Sequence, residues 1–331
     1  MKSLLFMLIL IVAVPVLAGA QGRGKEAAGE LYPVRKDGKV GYIDRKGALV
    51  IQPQYDDGWE FSEGLAYVKA GNKRGVIDRT GKLIIELTQV DFASPFAEGL
   101  ASVQTGGAQP RRGFIDKTGK LVIAPQFNAV ESFGEGLAVV MLDKKYGFID
   151  KTGKVVIKPQ FDKAFTFSEG LALVIVNNKH GFVDKKGKLV IQPQYYNAFR
   201  FSEGLANVKI GNQYGYINKL GKVLIAPRFY YAGSFADGLA PVIENNRFGF
   251  INKAGEMIIA PQYEWTRGFE EGLALVKIGG KFGFIDKTGA VVIKPQFDNA
   301  LNFNNGLARV WVGNAQGYID KTGKYVWEPT K

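Results

Sequence analysis

The sequence predicts an all-β tandem-repeat protein with a unit of 34 residues, and three recurring motifs carry this prediction. Gly-x-Ile/Val-Asp/Asn occurs nine times, Glu/Asp/Asn-Gly-Leu eight times and Ile-x-Pro-Gln/Arg-Phe/Tyr seven times, all in one register. The first motif begins at Gly41, Gly75, Gly113, Gly147, Gly181, Gly215, Gly249, Gly283 and Gly317. This periodicity overrides the two domains that 331 residues would otherwise suggest.

The composition agrees with many short strands. The chain has 42 glycines and 23 phenylalanines, which combine turn formers with aromatic residues that favour strands. Hydrophobic residues make up 46% of the chain, enough to bury a core. Cysteine is absent, which excludes disulfides, thiolate metal sites and cysteine nucleophiles.

One unit, residues 171–204, illustrates the predicted structure. Residues 171–176 form a short apolar run, residues 180–184 alternate, and residues 188–191 give a third strand. Pro193 ends that strand because it has no N–H to donate. The aromatic residues of the connector that follows are expected to pack between adjacent units, since a three-stranded sheet cannot bury its apolar face alone.

The units predict an open superhelical array of three-stranded antiparallel sheets, with a β-propeller as the alternative. Nine three-stranded sets leave no strand over to complete the first, whereas propeller blades usually have four strands. A connector strand that made each sheet four-stranded would favour the propeller. The predicted units are 31–64, 65–99, 100–136, 137–170, 171–204, 205–238, 239–272 and 273–306, with a partial copy at 307–331.

The N-terminus predicts a secretory signal over residues 1–20, followed by a short linker over 21–30. Lys2 precedes an apolar run from Leu4 to Ala18 and then Ala18-Gly19-Ala20, which indicates cleavage before Gln21. The run is short for a membrane-spanning helix, although an uncleaved anchor is the alternative. The protein is therefore expected to be periplasmic, secreted or on the cell surface.

The combined motifs resemble the bacterial WG-type repeat over residues 31–331. The matching elements are Gly-Leu-Ala-x-Val, Gly-Phe-Ile-Asp-Lys-Thr-Gly-Lys and Val-Ile-x-Pro-Gln-Phe-Asp. No copy has Trp before the motif glycine; His180 and Tyr214 are typical occupants, so the chain is a divergent member. The resemblance implies β-rich repeats in bacterial, often envelope, proteins, and it implies no reaction.

Residues suited to catalysis are scarce, so we predict no enzymatic activity and no cofactor. The single histidine, His180, stands where other units have an aromatic residue, and no motif supplies it with an orienting carboxylate and a nucleophile. A zinc site needs three or four N/S ligands. The glycine-rich segment 147–154 has five residues between its glycines rather than the four of a phosphate loop, and a strand rather than a helix should follow it.

Regularly spaced acids are predicted to be structural. Asp184 and its counterparts alternate with Asn218 and Asn252, which can accept the same backbone hydrogen bonds in a turn but cannot act as catalytic acids. Asp184 to Gly187 predicts a type I turn closed by a left-handed glycine. Glu169 and its counterparts alternate with Asn305 in the same manner. Repeated calcium sites are the alternative for these carboxylates.

The residue that follows the Asp or Asn at the end of the first motif is basic in all nine copies, and we call this set the basic rail. Its members are Arg45, Arg79, Lys117, Lys151, Lys185, Lys219, Lys253, Lys287 and Lys321. One interpretation is that lysines keep exposed hairpin tips soluble. The other is that the rail binds an anionic polymer such as envelope glycan or lipid headgroups, in which case reversing its charges should weaken binding with little effect on stability.

The sequence thus favours an exported binding or scaffolding module of the bacterial envelope that contacts protein or anionic glycan. Peripheral membrane contact is compatible with its formal net charge of +12, and export makes nucleic acid an unexpected partner. The alternative is a purely structural surface component with no specific ligand.

Overall fold

The computed structural model describes residues 29–88 and 92–330. The predicted signal and most of the linker lie outside these residues. Within them, 35 strands form nine antiparallel sheets, and no helix there is long and apolar enough to cross a membrane.

The sheets follow one another along the chain as blades 1 to 9. Blades 1 to 3 contain β1 (Tyr32–Lys36), β2 (Lys39–Ile43), β3 (Leu49–Tyr55); β4 (Asp57–Gly58), β5 (Leu65–Ala70), β6 (Lys73–Asp78), β7 (Leu83–Glu86); and β8 (Phe92–Ala93), β9 (Leu100–Gln104), β10 (Arg112–Asp116), β11 (Leu121–Phe127). Blades 4 to 6 contain β12 (Ala129–Val130), β13 (Leu137–Leu142), β14 (Lys145–Asp150), β15 (Val155–Phe161); β16 (Lys163–Ala164), β17 (Leu171–Val176), β18 (Lys179–Asp184), β19 (Leu189–Tyr195); and β20 (Asn197–Ala198), β21 (Leu205–Ile210), β22 (Gln213–Asn218), β23 (Val223–Phe229). Blades 7 to 9 contain β24 (Tyr231–Ala232), β25 (Leu239–Glu244), β26 (Arg247–Asn252), β27 (Met257–Tyr263); β28 (Trp265–Glu270), β29 (Leu273–Ile278), β30 (Lys281–Ile285), β31 (Val291–Phe297); and β32 (Asn299–Ala300), β33 (Ala308–Val312), β34 (Ala315–Ile319), β35 (Tyr325–Thr330).

The nine blades close into a β-propeller, so the all-β repeat prediction is confirmed in its alternative form rather than as an open array. The connector supplies the strand that makes the difference. In blade 5, Lys163 and Ala164 pair with Ile175 and Val174 and add a short fourth strand. Every blade except blade 1 has this additional strand in the described residues. The blades are therefore offset from the sequence period, because each connector belongs to the sheet that follows it.

Side chains close the ring between blade 9 and blade 1, with no strand exchanged between their sheets. The Tyr318 hydroxyl donates to the Pro33 carbonyl at 3.0 Å, and the rings of Tyr32 and Tyr318 lie 5.6 Å apart. The Tyr32 hydroxyl donates to the Asn305 carbonyl at 2.7 Å. The chain ends can therefore meet although blade 1 has only three strands, which is why a count of strands alone favoured the open array.

Packing between blades confirms the predicted role of the connector aromatics. Phe201, which lies in blade 6 between β20 and β21, is buried against Phe182 of blade 5, with ring centroids 4.8 Å apart. Phe148 and Phe167 repeat this contact between blades 4 and 5 at 4.9 Å. Burying aromatic rings at each joint couples neighbouring blades and stabilises the ring.

The motif glycine is required by the close approach of the last strand of its blade. A Cβ on Gly181 would lie 2.6 Å from the backbone nitrogen of Pro193 and 2.7 Å from the Ile191 carbonyl oxygen. The last strand bulges at this point, since His180 pairs with Tyr195 and Phe182 with Ile191. Blade 2 lacks the proline, and its last strand, β7, is only four residues long.

Because successive strands of a blade run in opposite directions, their turns fall on two opposite faces of the propeller. One face carries the leading turn of each blade, such as residues 168–171, and the lysine turn, such as residues 184–188. We call it the lysine face. The opposite face, the tyrosine face, carries the middle turns, such as residues 176–179, and the junction residue between one blade and the next, such as Asp162.

Candidate functional site

The leading turns form a ring of linked carboxylates on the lysine face. The Glu135 carboxylate of blade 4 accepts the backbone N–H of Gly170 in the leading turn of blade 5 at 3.0 Å. Glu98 binds Gly136, and Glu169 binds Gly204, each also at 3.0 Å. Each of these carboxylates therefore fastens its own blade to the next.

Most members of the basic rail bind these same carboxylates. Lys185 Nζ lies 3.1 Å from Glu135 Oε2 of the preceding blade. Equivalent ion pairs, 3.0–3.2 Å long, are Lys117–Glu63, Lys151–Glu98, Lys219–Glu169, Lys253–Glu203 and Lys321–Glu271. Arg79 is 3.7 Å from Glu30. The paired rail residues are thus the cationic half of an ion-pair network that links successive blades.

Two rail positions differ from this pattern. At Lys287 the preceding blade supplies the shorter Asp237, and no ion pair joins the two although both are described. Arg45 lies against Gly306, where a Cβ would be 2.5 Å from its Nη2 atom, and so continues the ring from blade 9 to blade 1.

The pairing corrects one expectation about the rail. Reversing its charges was expected to leave stability nearly unchanged because the residues sit at exposed turns. The lysine side chains are 42–47% exposed, yet each lies beside a carboxylate of the adjacent blade. Reversal would place two carboxylates together, so it must also weaken the joint between blades.

The Asp and Asn residues that end the first motif are turn residues, as predicted. Asp184 Oδ1 accepts the N–H groups of Lys186 and Lys188 at 2.9 Å, and Gly187 has a φ of 83°. Asn218 forms the same two bonds at 3.0 Å. The amide oxygen replaces the carboxylate without loss of the turn, which excludes a need for charge at this position.

His180 lies in a packing position. It pairs with Tyr195 across two strands of blade 5 and is partly buried. Burial lowers the pKa of its imidazole, because the charged form is penalised in an apolar environment. Its Nδ1 atom is buried without a hydrogen-bond partner among the described residues. No group of three or more metal-ligating side chains occurs in the described part of the chain.

The tyrosine face has a repeated contact that the sequence interpretation missed. The junction acid Asp162 accepts the N–H of Asn177 in the middle turn at 2.7 Å and pairs with Lys145 at 2.6 Å. The Lys145 hydrogen bond is the main cause that lowers the pKa of Asp162. Asp56 and Asp298 make the equivalent lysine pairs and turn bonds, and Glu264 bonds the middle turn of its blade.

Two neighbouring copies replace the junction acid with tyrosine. Tyr196 and Tyr230 are 64% and 78% exposed, the most exposed aromatic side chains among the described residues. Lys179, at the position that pairs with the acid elsewhere, lies 3.2 Å from the Tyr196 ring centroid. The sequence signal was available, since Tyr follows the third motif only in these two copies.

A groove of about 560 Å³ opens beside Tyr230, between blades 6 and 7. Besides Tyr230, cationic and amide side chains dominate its lining: Lys209, Asn212, Gln213, Arg228 and Asn245. Glu244 is its single acidic residue and Ile243 its single aliphatic one. The groove therefore combines an exposed aromatic ring, hydrogen-bonding amides and a positive charge balance.

The closed ring of repeated β-sheets, with ion pairs between neighbouring blades, is typical of a binding or structural module. The chain belongs to the WG containing repeat family, which matches residues 41–73, 75–107, 113–146, 146–179, 181–214, 214–247, 248–282 and 282–314. A search of curated proteins found no match.

Solved structures support the fold alone. A eukaryotic initiation factor superposes with a TM-score of 0.67 at 9% identity, over 91% of this chain and 96% of that one. The dihydro-heme d1 dehydrogenase NirN, in complex with DHE, has a TM-score of 0.50 at 14% identity, over 94% of this chain and 76% of that one. Identities this low carry no function from either protein to this chain.

Proposed function

We propose that this protein is an exported, non-enzymatic binding or scaffolding module of the bacterial envelope that engages protein or anionic glycan. One observation carries the proposal. Most rail lysines and several junction acids are occupied in holding blade to blade, as in the Lys185–Glu135 pair and the Asp162–Lys145 pair. Specific binding must then depend on positions where individual blades depart from the repeat.

Export rests on the N-terminal pattern of Lys2, the apolar run to Ala18 and the small residues that follow. A mature chain beginning at Gln21 would carry a formal net charge of +11, because Lys2 is the single charged residue removed from +12. This charge favours an anionic partner or surface over a neutral one.

The test is retention of the mature protein, residues 21–331, on cell-envelope fractions. Binding should be saturable and should recover a defined protein or glycan component, with a denatured sample as the control for nonspecific adsorption. Failure to retain any component would contradict the binding proposal.

That failure would leave the second candidate, a structural surface component. The self-contained ion pairing of the lysine face favours this candidate, since those side chains satisfy one another without a ligand.

A further inference from the structure

We infer that the tyrosine face carries a single glycan-binding site at blades 5 to 7, centred on Tyr196 and Tyr230, for a carboxylated polysaccharide. The inference rests on the proposed binding function and specifies its site and ligand class. It starts from the junction position, where seven copies of one backbone environment can be compared within the same molecule.

The two tyrosines give up a stabilising contact. At three of the five other junctions, Asp56, Asp162 and Asp298 hold both a lysine and a middle-turn N–H. Glu264 holds the middle turn alone, and the fifth junction has Asn128. With Tyr in place of the acid, Lys179 has a cation–π contact with the Tyr196 ring instead of an ion pair, and the middle turn loses its carboxylate acceptor. The exposed ring also gives up hydrophobic stabilisation, because it stays in contact with water. Two successive departures of this kind, on adjacent blades, mark a surface suited to a ligand rather than to the fold.

The chemistry around the rings suits a polyhydroxylated chain. A flat face of a tyrosine ring can stack on the C–H face of a pyranose, and in Tyr196 this is the face opposite Lys179. Asn212, Gln213 and Asn245 offer donors and acceptors for the sugar hydroxyls. A protein hot spot would more usually be apolar and well buried. The groove has one aliphatic lining residue, which favours the sugar.

Charge selects the type of sugar. Lys209 and Arg228 line the groove against the single acid Glu244, although one N–H of Arg228 donates to the Gly255 carbonyl. Lys179 covers the Tyr196 ring without the carboxylate partner found at equivalent positions. Carboxylates along a polysaccharide would meet these cations while two of its sugar rings stack on the two tyrosines. Because the tyrosines occupy equivalent positions on neighbouring blades, one chain can contact both.

The experiment measures binding of the mature protein to polygalacturonate, by calorimetry and by affinity electrophoresis at physiological ionic strength. Fully methyl-esterified polygalacturonate tests the need for carboxylates. We expect Tyr196→Ala/Tyr230→Ala to weaken polygalacturonate binding about tenfold or more, as for an aromatic anchor at a binding surface. The esterified polymer should bind more weakly than the acid form.

Two variants control for folding. Tyr196→Asp restores the residue found at position 162, so it should fold with a Lys179 pair and lose polygalacturonate binding. Leu220→Ala removes a side chain that is 84% exposed on the lysine face of blade 6, and it should bind as the parent does. Melting curves confirm that each variant is folded.

The outcomes separate this site from the general proposal. Absence of polygalacturonate binding by the parent, or equal binding by the folded double variant, overturns the glycan site. Retention on envelope fractions would still support a binding function in either case. If the double variant instead loses an envelope protein that the parent recovers, the groove docks protein and the glycan assignment is wrong.

Discussion

Charge reversal at Lys185 tests whether the lysine face holds the propeller together. Lys185 pairs with Glu135 at 3.1 Å, and that carboxylate also accepts the Gly170 N–H. In Lys185→Glu the ion pair is lost, which costs about 0.2–1 kcal/mol for an exposed pair. Two carboxylates about 4 Å apart would then repel by roughly 1–4 kcal/mol, between the limits for water and for a protein surface.

Rotation of the new side chain into solvent relieves part of this repulsion, so we expect a loss of about 1–2 kcal/mol. For a domain of about 300 residues this corresponds to a melting temperature lower by about 1.5–3 °C. Lys151→Glu and Lys219→Glu act on separate pairs, with Glu98 and Glu169, so the triple variant should lose about 3–6 kcal/mol.

Thermal melting followed by circular dichroism measures the effect at low salt and at high salt, where screening should shrink it. Lys185→Gln separates loss of the pair from repulsion and should cost less than about 1 kcal/mol. Lys287→Glu is the matched control, since that rail lysine makes no ion pair with Asp237, and its loss should be smaller. A Lys185→Glu protein that melts with the parent, or no further below it than Lys287→Glu, would refute the role of the ring.

Three further outcomes follow from the same contacts. Asp150→Asn should melt close to the parent at neutral pH. The hydrogen bond from the Thr152 hydroxyl is the main cause that lowers the pKa of Asp150. The ionised Asp150 therefore stabilises the parent turn at pH values above the usual pKa of Asp, and this stabilisation is lost as the pH falls through the lowered pKa. Melting curves of both proteins over a series of pH values should show this loss in the parent alone. Tyr216→Phe should cost about 1–3 kcal/mol in urea unfolding, because the buried hydroxyl donates to the Gly233 carbonyl at 2.8 Å. N-terminal sequencing of exported protein should begin at Gln21, and an intact chain in the inner membrane fraction would contradict cleavage.

Local rules were readable from the sequence because they depend on neighbouring residues. The Asp184 turn needs only an oxygen acceptor and a glycine with positive φ, both within five residues. Phe201 was expected between units because its own sheet could not bury it, and it packs on Phe182 of the preceding blade.

The partners of the rail could not be read in this way. Lys185 and Glu135 are 50 positions apart, and each is common on exposed turns. The lysine turn of one blade meets the leading turn of the previous blade only because the antiparallel strands place both turns on the same face of the propeller. The Tyr196 and Tyr230 site likewise needed the structure, which showed that the acids they replace hold middle turns.

By itself, the sequence determined the 34-residue unit, its three long strands, its turn chemistry and its family resemblance. The tertiary structure decided that the connector becomes a fourth strand and that the blades close into a ring. Closure depends on the angle between successive blades, which is a sum of small rotations set by packing at every joint. Contacts such as Tyr318 to Pro33, nearly a whole chain apart, exist only once those rotations add up to a full turn.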